Sequence, residues 1–138
     1  MSGFILDASV TLSWCFLDEA TTKTDALLAR LKKELAFAPE LWTLEVGNIL
    51  IMSEQRKRIT YAQITEFLSL LSKLNIQVVS DTAKYGFHEI LNLAHNEKIT
   101  TYDAAYLKLA MRLGKPLASK DKQLNVIAKR LGVQLMEI

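Results

Sequence analysis

Cysteine is almost missing from this chain. Cys15 stands alone, so no internal disulfide can form, and a reducing, cytoplasmic compartment is the expected setting. Long apolar runs are missing too. None approaches the roughly 18 residues that a membrane span needs, so a soluble protein with no membrane partner is expected. Met1-Ser2-Gly3 leads into the first apolar segment with no basic region and no long hydrophobic stretch, and no signal peptide is read there. Charge of one sign is not in excess. The formal net charge of +2 permits a nucleic-acid partner without arguing for one. With two prolines and five glycines, the chain shows no linker, internal repeat or low-complexity tract. Its two histidines, His88 and His95, fall outside every motif singled out below, which leaves a histidine acid–base pair poorly supported. What is present is apolar material. Half of the 138 residues are hydrophobic, enough for one domain, 1–138, with one core.

That material alternates between two patterns. Phe4-Ile5-Leu6 is a short apolar run that stops at Asp7, as a strand buried on both faces would. Ser9 is placed to cap a helix over Val10–Phe16. A second helix is expected from about Thr24 to Glu34, then a strand at Leu35-Ala36-Phe37-Ala38 closed by Pro39. Helices follow over Glu40–Arg56 and Tyr61–Lys73, the second capped by Thr60, then a strand at Ile76-Gln77-Val78-Val79. Helices over Ala83–His95 and from Thr100 or Thr101 to Leu113 precede a strand at Pro116-Leu117-Ala118, with Gly114 as the helix stop. A helix over Lys122–Leu131, stopped by Gly132, and a fifth strand at Val133–Met136 complete the chain. Alternation of this kind is the signature of an α/β fold, a parallel sheet with helices on both faces.

Four acids stand in places where a structural role alone explains them incompletely. Asp7 ends the first strand, and ligands of open α/β sheets bind beyond the strands' carboxyl ends. It can equally cap the next helix. On a helical wheel Glu45 falls among Leu41, Trp42, Ile49 and Met52, where a carboxylate is costly unless paired or metal-bound. Asn48 lies on the same side, and a buried hydrogen-bonded pair is the plain alternative. Asp103 opens a helix, which suits the helix dipole, yet Ala104, Ala105 and Leu107 imply that this helix start is packed. Asp121 can be a simple N-cap, and Ser119 beside it a second polar ligand. Brought together, four like charges repel unless a hard divalent cation joins them. Mg²⁺ suits such a site, and Mn²⁺ is chemically close.

Ile5-Leu6-Asp7-Ala8-Ser9, Pro39-Glu40-Leu41-Trp42-Thr43-Leu44-Glu45-Val46-Gly47-Asn48, Thr101-Tyr102-Asp103-Ala104-Ala105-Tyr106-Leu107 and Leu117-Ala118-Ser119-Lys120-Asp121 resemble, in order and spacing, the PIN-domain ribonucleases. In size the chain looks like the VapC-type toxins of prokaryotic toxin–antitoxin pairs. The resemblance implies a five-stranded parallel sheet in the order 3-2-1-4-5. It implies Mg²⁺-dependent cleavage of RNA to 5′-phosphate and 3′-hydroxyl ends, a homodimer, and inhibition by a cognate VapB-like antitoxin. By the same resemblance Asp7, Glu45, Asp103 and Asp121 are the catalytic acids, with Asp7 and Asp103 as direct metal ligands. Ser9, Asn48 and Ser119 take the supporting polar positions, Ser119 where many relatives carry Thr.

RNA held against acids calls for cations. Lys120 and Lys122 flank Asp121 and are the first candidates for phosphate contacts, ahead of Lys115, Arg56, Lys57 and Arg58. A solvated helix end explains each of them as well. Trp14, Phe16 and Leu17 form an apolar cluster that belongs to the core or to a partner surface. Two other small α/β classes fit poorly. A phosphoacceptor receiver wants an acidic pair straight after the first strand, and a haloacid-dehalogenase-like phosphatase wants Asp-x-Asp there. Here Ala8 and Ser9 follow Asp7. A non-catalytic or processing RNA-binding protein on the same fold is the alternative reading.

Overall fold

The computed structural model describes residues 3–138; Met1 and Ser2, part of the segment read above for a signal peptide, lie outside the described residues. Strand β1 (Phe4–Leu6) runs into helix α1 (Ala8–Ser13), a 3₁₀ turn at Leu17–Glu19 and helix α2 (Thr22–Arg30). Then come β2 (Ala36–Pro39), α3 (Leu41–Gln55), α4 (Tyr61–Ser72) and β3 (Ile76–Val79). The remainder is α5 (Thr82–Tyr85), a π turn (Gly86–Ile90), α6 (Leu91–Glu97), α7 (Thr101–Leu113), β4 (Leu117–Ala118) and α8 (Lys122–Arg130).

Among the described residues the strands form one parallel sheet in the order β3-β2-β1-β4. Ile5 pairs with Phe37 on one side and with Leu117 on the other, so β1 is central. Its three residues are 0% exposed, which is why the run has no polar alternation. Helix side chains such as Val10, Leu27, Trp42, Leu50, Leu107 and Leu124 close over the sheet in one core. Trp42 donates from Nε1 to the buried Thr11 hydroxyl at 2.9 Å, tying α3 to α1.

The fifth strand is reduced. Leu135 makes a single parallel bridge to Leu117, supported by Leu117 N to Gln134 O and Met136 N to Leu117 O, both 2.9 Å. The segment lies beside β4 as expected, but β4 has two residues and offers a short ladder. The order is thus 3-2-1-4, with a bridge where strand 5 was expected.

Other boundaries moved for local reasons. Asp7, not Ser9, is the N-cap of α1. Thr21 and Thr24 cap α2 reciprocally and start it two residues early. Pro39 is the last residue of β2, and α3 begins after Glu40. The helix expected over 83–95 runs without a break over 82–97, with a π segment inside it that buries Ile90 and leaves Phe87 88% exposed. Gly114 ends α7 at φ 64°, a conformation that favours glycine.

This topology positions the site. From β1 the chain steps to β2 and β3 on one side and returns to β4 on the other. The crevice beyond the carboxyl ends of β1 and β4 is therefore the topological switch point. Asp7 follows β1 there, and Ser119, Lys120 and Asp121 follow β4; Asp7 N donates to Ala118 O at 3.1 Å.

Candidate active site

Asp7 is the most firmly held acid. Its Oδ1 accepts from Ala8 N at 2.8 Å, the N-cap bond of α1. Its Oδ2 accepts two hydroxyls, Ser9 Oγ at 2.8 Å and Ser119 Oγ at 2.6 Å. Each serine in turn accepts an amide of the β4–α8 connection, Lys120 N to Ser9 at 2.9 Å and Asp121 N to Ser119 at 3.0 Å. A hydroxyl has one proton to give. Accepting an amide leaves that proton for Asp7, so both serines orient the carboxylate across the switch point.

Asp121 caps α8, its Oδ1 accepting from Leu124 N at 3.1 Å. Asn125, one turn on, donates from Nδ2 to Ser119 O at 2.8 Å and fixes the same connection. Its Oδ1 is buried with no hydrogen-bond partner among the described residues. Asp103 stands in the first turn of α7, where its amide donates to the Thr100 cap at 3.1 Å. No hydrogen bond or ion pair with another described residue holds its carboxylate.

Glu45 is half-buried on α3, flanking a buried stripe of Trp42, Val46, Leu50 and Ser53. Ile49 and Met52, placed beside it on the wheel, are exposed instead, because α3 turns only that stripe inward. The partner of Glu45 comes from α7: Tyr106 OH donates to its Oε1 at 2.6 Å. Asn48 is exposed, its amide toward Met52 Sδ at 3.6 Å, and no hydrogen bond brings it to the acids. With Glu45, Leu44, Ile51 and Tyr102 it lines a shallow surface groove.

The four acids share one electrostatic field. Burial raises the Asp7 carboxyl from its ordinary value against the lowering donors Ser119, Ser9 and Ala8, and Asp121 adds repulsion. Burial raises Glu45 as well; Tyr106 lowers it, and Asp7 and Asp103 raise it further. Asp103 is raised by burial, then by Asp121 and Asp7. Among the described residues no ion pair neutralises any of the four. Nor do any three acids, as they stand, lie close enough to form a ready metal-ligand set among the described residues. Asp121 turns one oxygen onto its own helix and Glu45 one onto Tyr106. The donor chemistry nonetheless fits a hard divalent cation: oxygen donors only, with no ion pair to a cation among the described residues, and with repulsion adding to burial in raising three of them.

The cations expected at the rim differ in how they are held. Lys120 donates its ammonium to Glu19 O at 2.8 Å, so as it stands it is committed to the 3₁₀ turn. Lys122 is exposed at the start of α8. Arg58 binds Asp18 at 2.7 Å and Glu19 at 3.0 Å and stacks 3.8 Å from the centre of the Phe16 ring. Arg56, Lys57, His88 and His95 are exposed. Of the Trp14, Phe16 and Leu17 cluster, Phe16 is buried and Leu17 is 91% exposed.

Two residues of this site carry no role in the sequence reading. Tyr106 and Asn125 support Glu45 and Ser119. The only signals were helical spacings, Tyr106 three after Asp103 and Asn125 four after Asp121.

The family profile described as PIN domain matches residues 4–130. Among solved structures, PAE2754 from Pyrobaculum aerophilum is similar with a TM-score of 0.69, covering 94% of each chain at 21% identity. At that identity the likeness speaks for the fold. No curated protein matches the chain.

Proposed function

The chain belongs to the PIN-domain family, whose members are typically metal-dependent nucleases, and from that premise we propose that it is a Mg²⁺-dependent endoribonuclease, the toxin of a VapBC-type pair. What supports the reading is that Asp7 and Asp121 follow β1 and β4 at the switch point, while Glu45 on α3 and Asp103 on α7 are near enough to Asp7 for its charge to add to burial in raising both. We take 1–138 as a single such domain.

Asp7 and Asp103 would hold the metal. A bound Mg²⁺, or Mn²⁺ in its place, supplies charge that polarises the scissile phosphate and acidifies a water. Ser9 and Ser119 keep Asp7 oriented and favour its charged form against the effect of burial. Glu45 or Asp121 would accept a hydrogen bond from the attacking water and align it. Lys122, exposed beside Asp121, is the available phosphate contact. For the protein partners, a second copy and a VapB-like antitoxin, support comes from apolar side chains left exposed on α3 and α4: Leu44, Ile51, Leu68 and Leu70.

The test is cleavage of RNA by the purified protein with Mg²⁺ and with a chelator. Wild type is expected to cut only with the metal, and Asp7→Asn is expected to bind RNA without cutting it. Undiminished cleavage by Asp7→Asn would refute the assignment. RNA binding without cleavage by wild type would favour the non-catalytic or processing alternative.

A further inference from the structure

The phenol of Tyr106 meets a carboxylate at the acid centre while the rest of its ring belongs to the core. Tyr106 is 1% exposed, so it can touch neither solvent nor a nucleic acid. It lies on α7 three residues after Asp103, hence on the same face. Its hydroxyl reaches α3, where it donates to Glu45 Oε1 at 2.6 Å, and it stands beside the Ala8 amide that caps onto Asp7. One hydroxyl thus lies where the segments bearing Asp7, Glu45 and Asp103 meet.

The geometry points to Tyr106 as a positioning residue: its hydroxyl fixes Glu45 by occupying one carboxylate oxygen and leaving the other for the reactive centre. The inference rests on the reading of the four acids as that centre. Burial, then the bond to Glu45, pushes the phenol far above the usual tyrosine range, so it remains a donor and serves neither as base nor as nucleophile. Glu45 has no other hydrogen-bond partner among the described residues. Without Tyr106 its side chain is free to change rotamer on the half-exposed flank of α3.

Tyr106→Phe keeps the ring and removes only the hydroxyl. A hydrogen bond to a charged group at the low end of its usual worth corresponds to about a tenfold loss in kcat. The KM for RNA should stay unchanged, since the hydroxyl is out of reach of substrate. A double-mutant cycle with Glu45→Gln separates positioning from a general packing role. If Tyr106 acts through Glu45, the double variant cleaves no more slowly than Glu45→Gln alone. A full multiplication of the two losses, or undiminished kcat in folded Tyr106→Phe, overturns the inference.

A second readout needs no turnover. In metal-free protein labelled with ¹³C at glutamate carboxyls, Tyr106→Phe should shift the Glu45 signal, and an unmoved signal overturns the contact. Should Tyr106→Phe fail to fold, Glu45→Ala in fluorotyrosine-labelled protein should move the Tyr106 ¹⁹F signal, and an unmoved signal again counts against it. Were wild type to show no Mg²⁺-dependent cleavage, the nuclease reading would fall and with it the positioning role, while the spectra would still decide whether the contact exists.

Discussion

A carboxylate with two hydroxyls and an amide on it is unusual for a mere helix cap, and Asp7 has all three. The donors offset the cost of burying its charge. Ser119→Ala deletes one donor and leaves the Asp121 amide without its acceptor. The variant should need about 10–100-fold more Mg²⁺ for half-maximal cleavage, the usual cost of losing a group that orients a metal ligand. Cleavage measured against Mg²⁺ concentration checks this, and an unshifted midpoint would remove Ser119 from the site. The acids were readable as residues because a lone carboxylate after an apolar strand, or inside an apolar helix, breaks the local pattern; the supporting role of Ser9 came only with the family resemblance. Tyr106 breaks nothing. Among Ala104, Ala105 and Leu107 it reads as core, and it is core; its acceptor lies 61 positions away, which no local spacing can show. Asn48 shows the converse. It shares a groove with Glu45 yet makes no hydrogen bond to the acids, because the helix turns a narrower stripe inward than its composition suggests.

At the scale of elements, Asp121 is both the cap of α8 and a proposed catalytic group, and the two roles separate by substitution. Asparagine caps nearly as well as aspartate, whereas alanine costs about 1 kcal/mol. Asp121→Asn should therefore melt close to wild type with impaired cleavage. Asp121→Ala should lose both cleavage and that increment of stability. Equal melting of the two variants would show that the cap bond at Leu124 contributes nothing. The strand–helix alternation was legible because period and punctuation agree along most of the chain. Two features were not. The π turn inside the expected 83–95 helix carries no punctuation beyond Gly86, and it arises where tertiary packing draws Ile90 inward. The fifth strand is limited by its neighbour: a two-residue β4 cannot support a longer ladder whatever the propensity of Val133–Met136.

For the whole molecule the acid cluster makes stability depend on proton and cation. Burial and mutual repulsion hold the carboxyls of Asp7, Glu45 and Asp103 above their unfolded values. Between the two values the folded chain keeps protons that the unfolded chain has released, so stability falls as pH rises through that window. The metal-free protein should gain stability relative to Asp7→Asn as pH is lowered from neutral toward about 4, the ordinary carboxylate range. Melting curves of both proteins across that range check the sign, and a difference that grows toward neutral pH in favour of wild type would reverse it. A cation that binds only the folded chain adds about 2.7 kcal/mol when present at about 100 times its dissociation constant.

The most direct measurement is a calorimetric titration of the metal-free protein with Mg²⁺ at neutral pH, run beside Asp7→Asn. Saturable binding by wild type, lost in the variant, is the predicted result. A flat wild-type titration, or equal binding by both proteins, would contradict the claim that these carboxylates form a centre for a divalent metal.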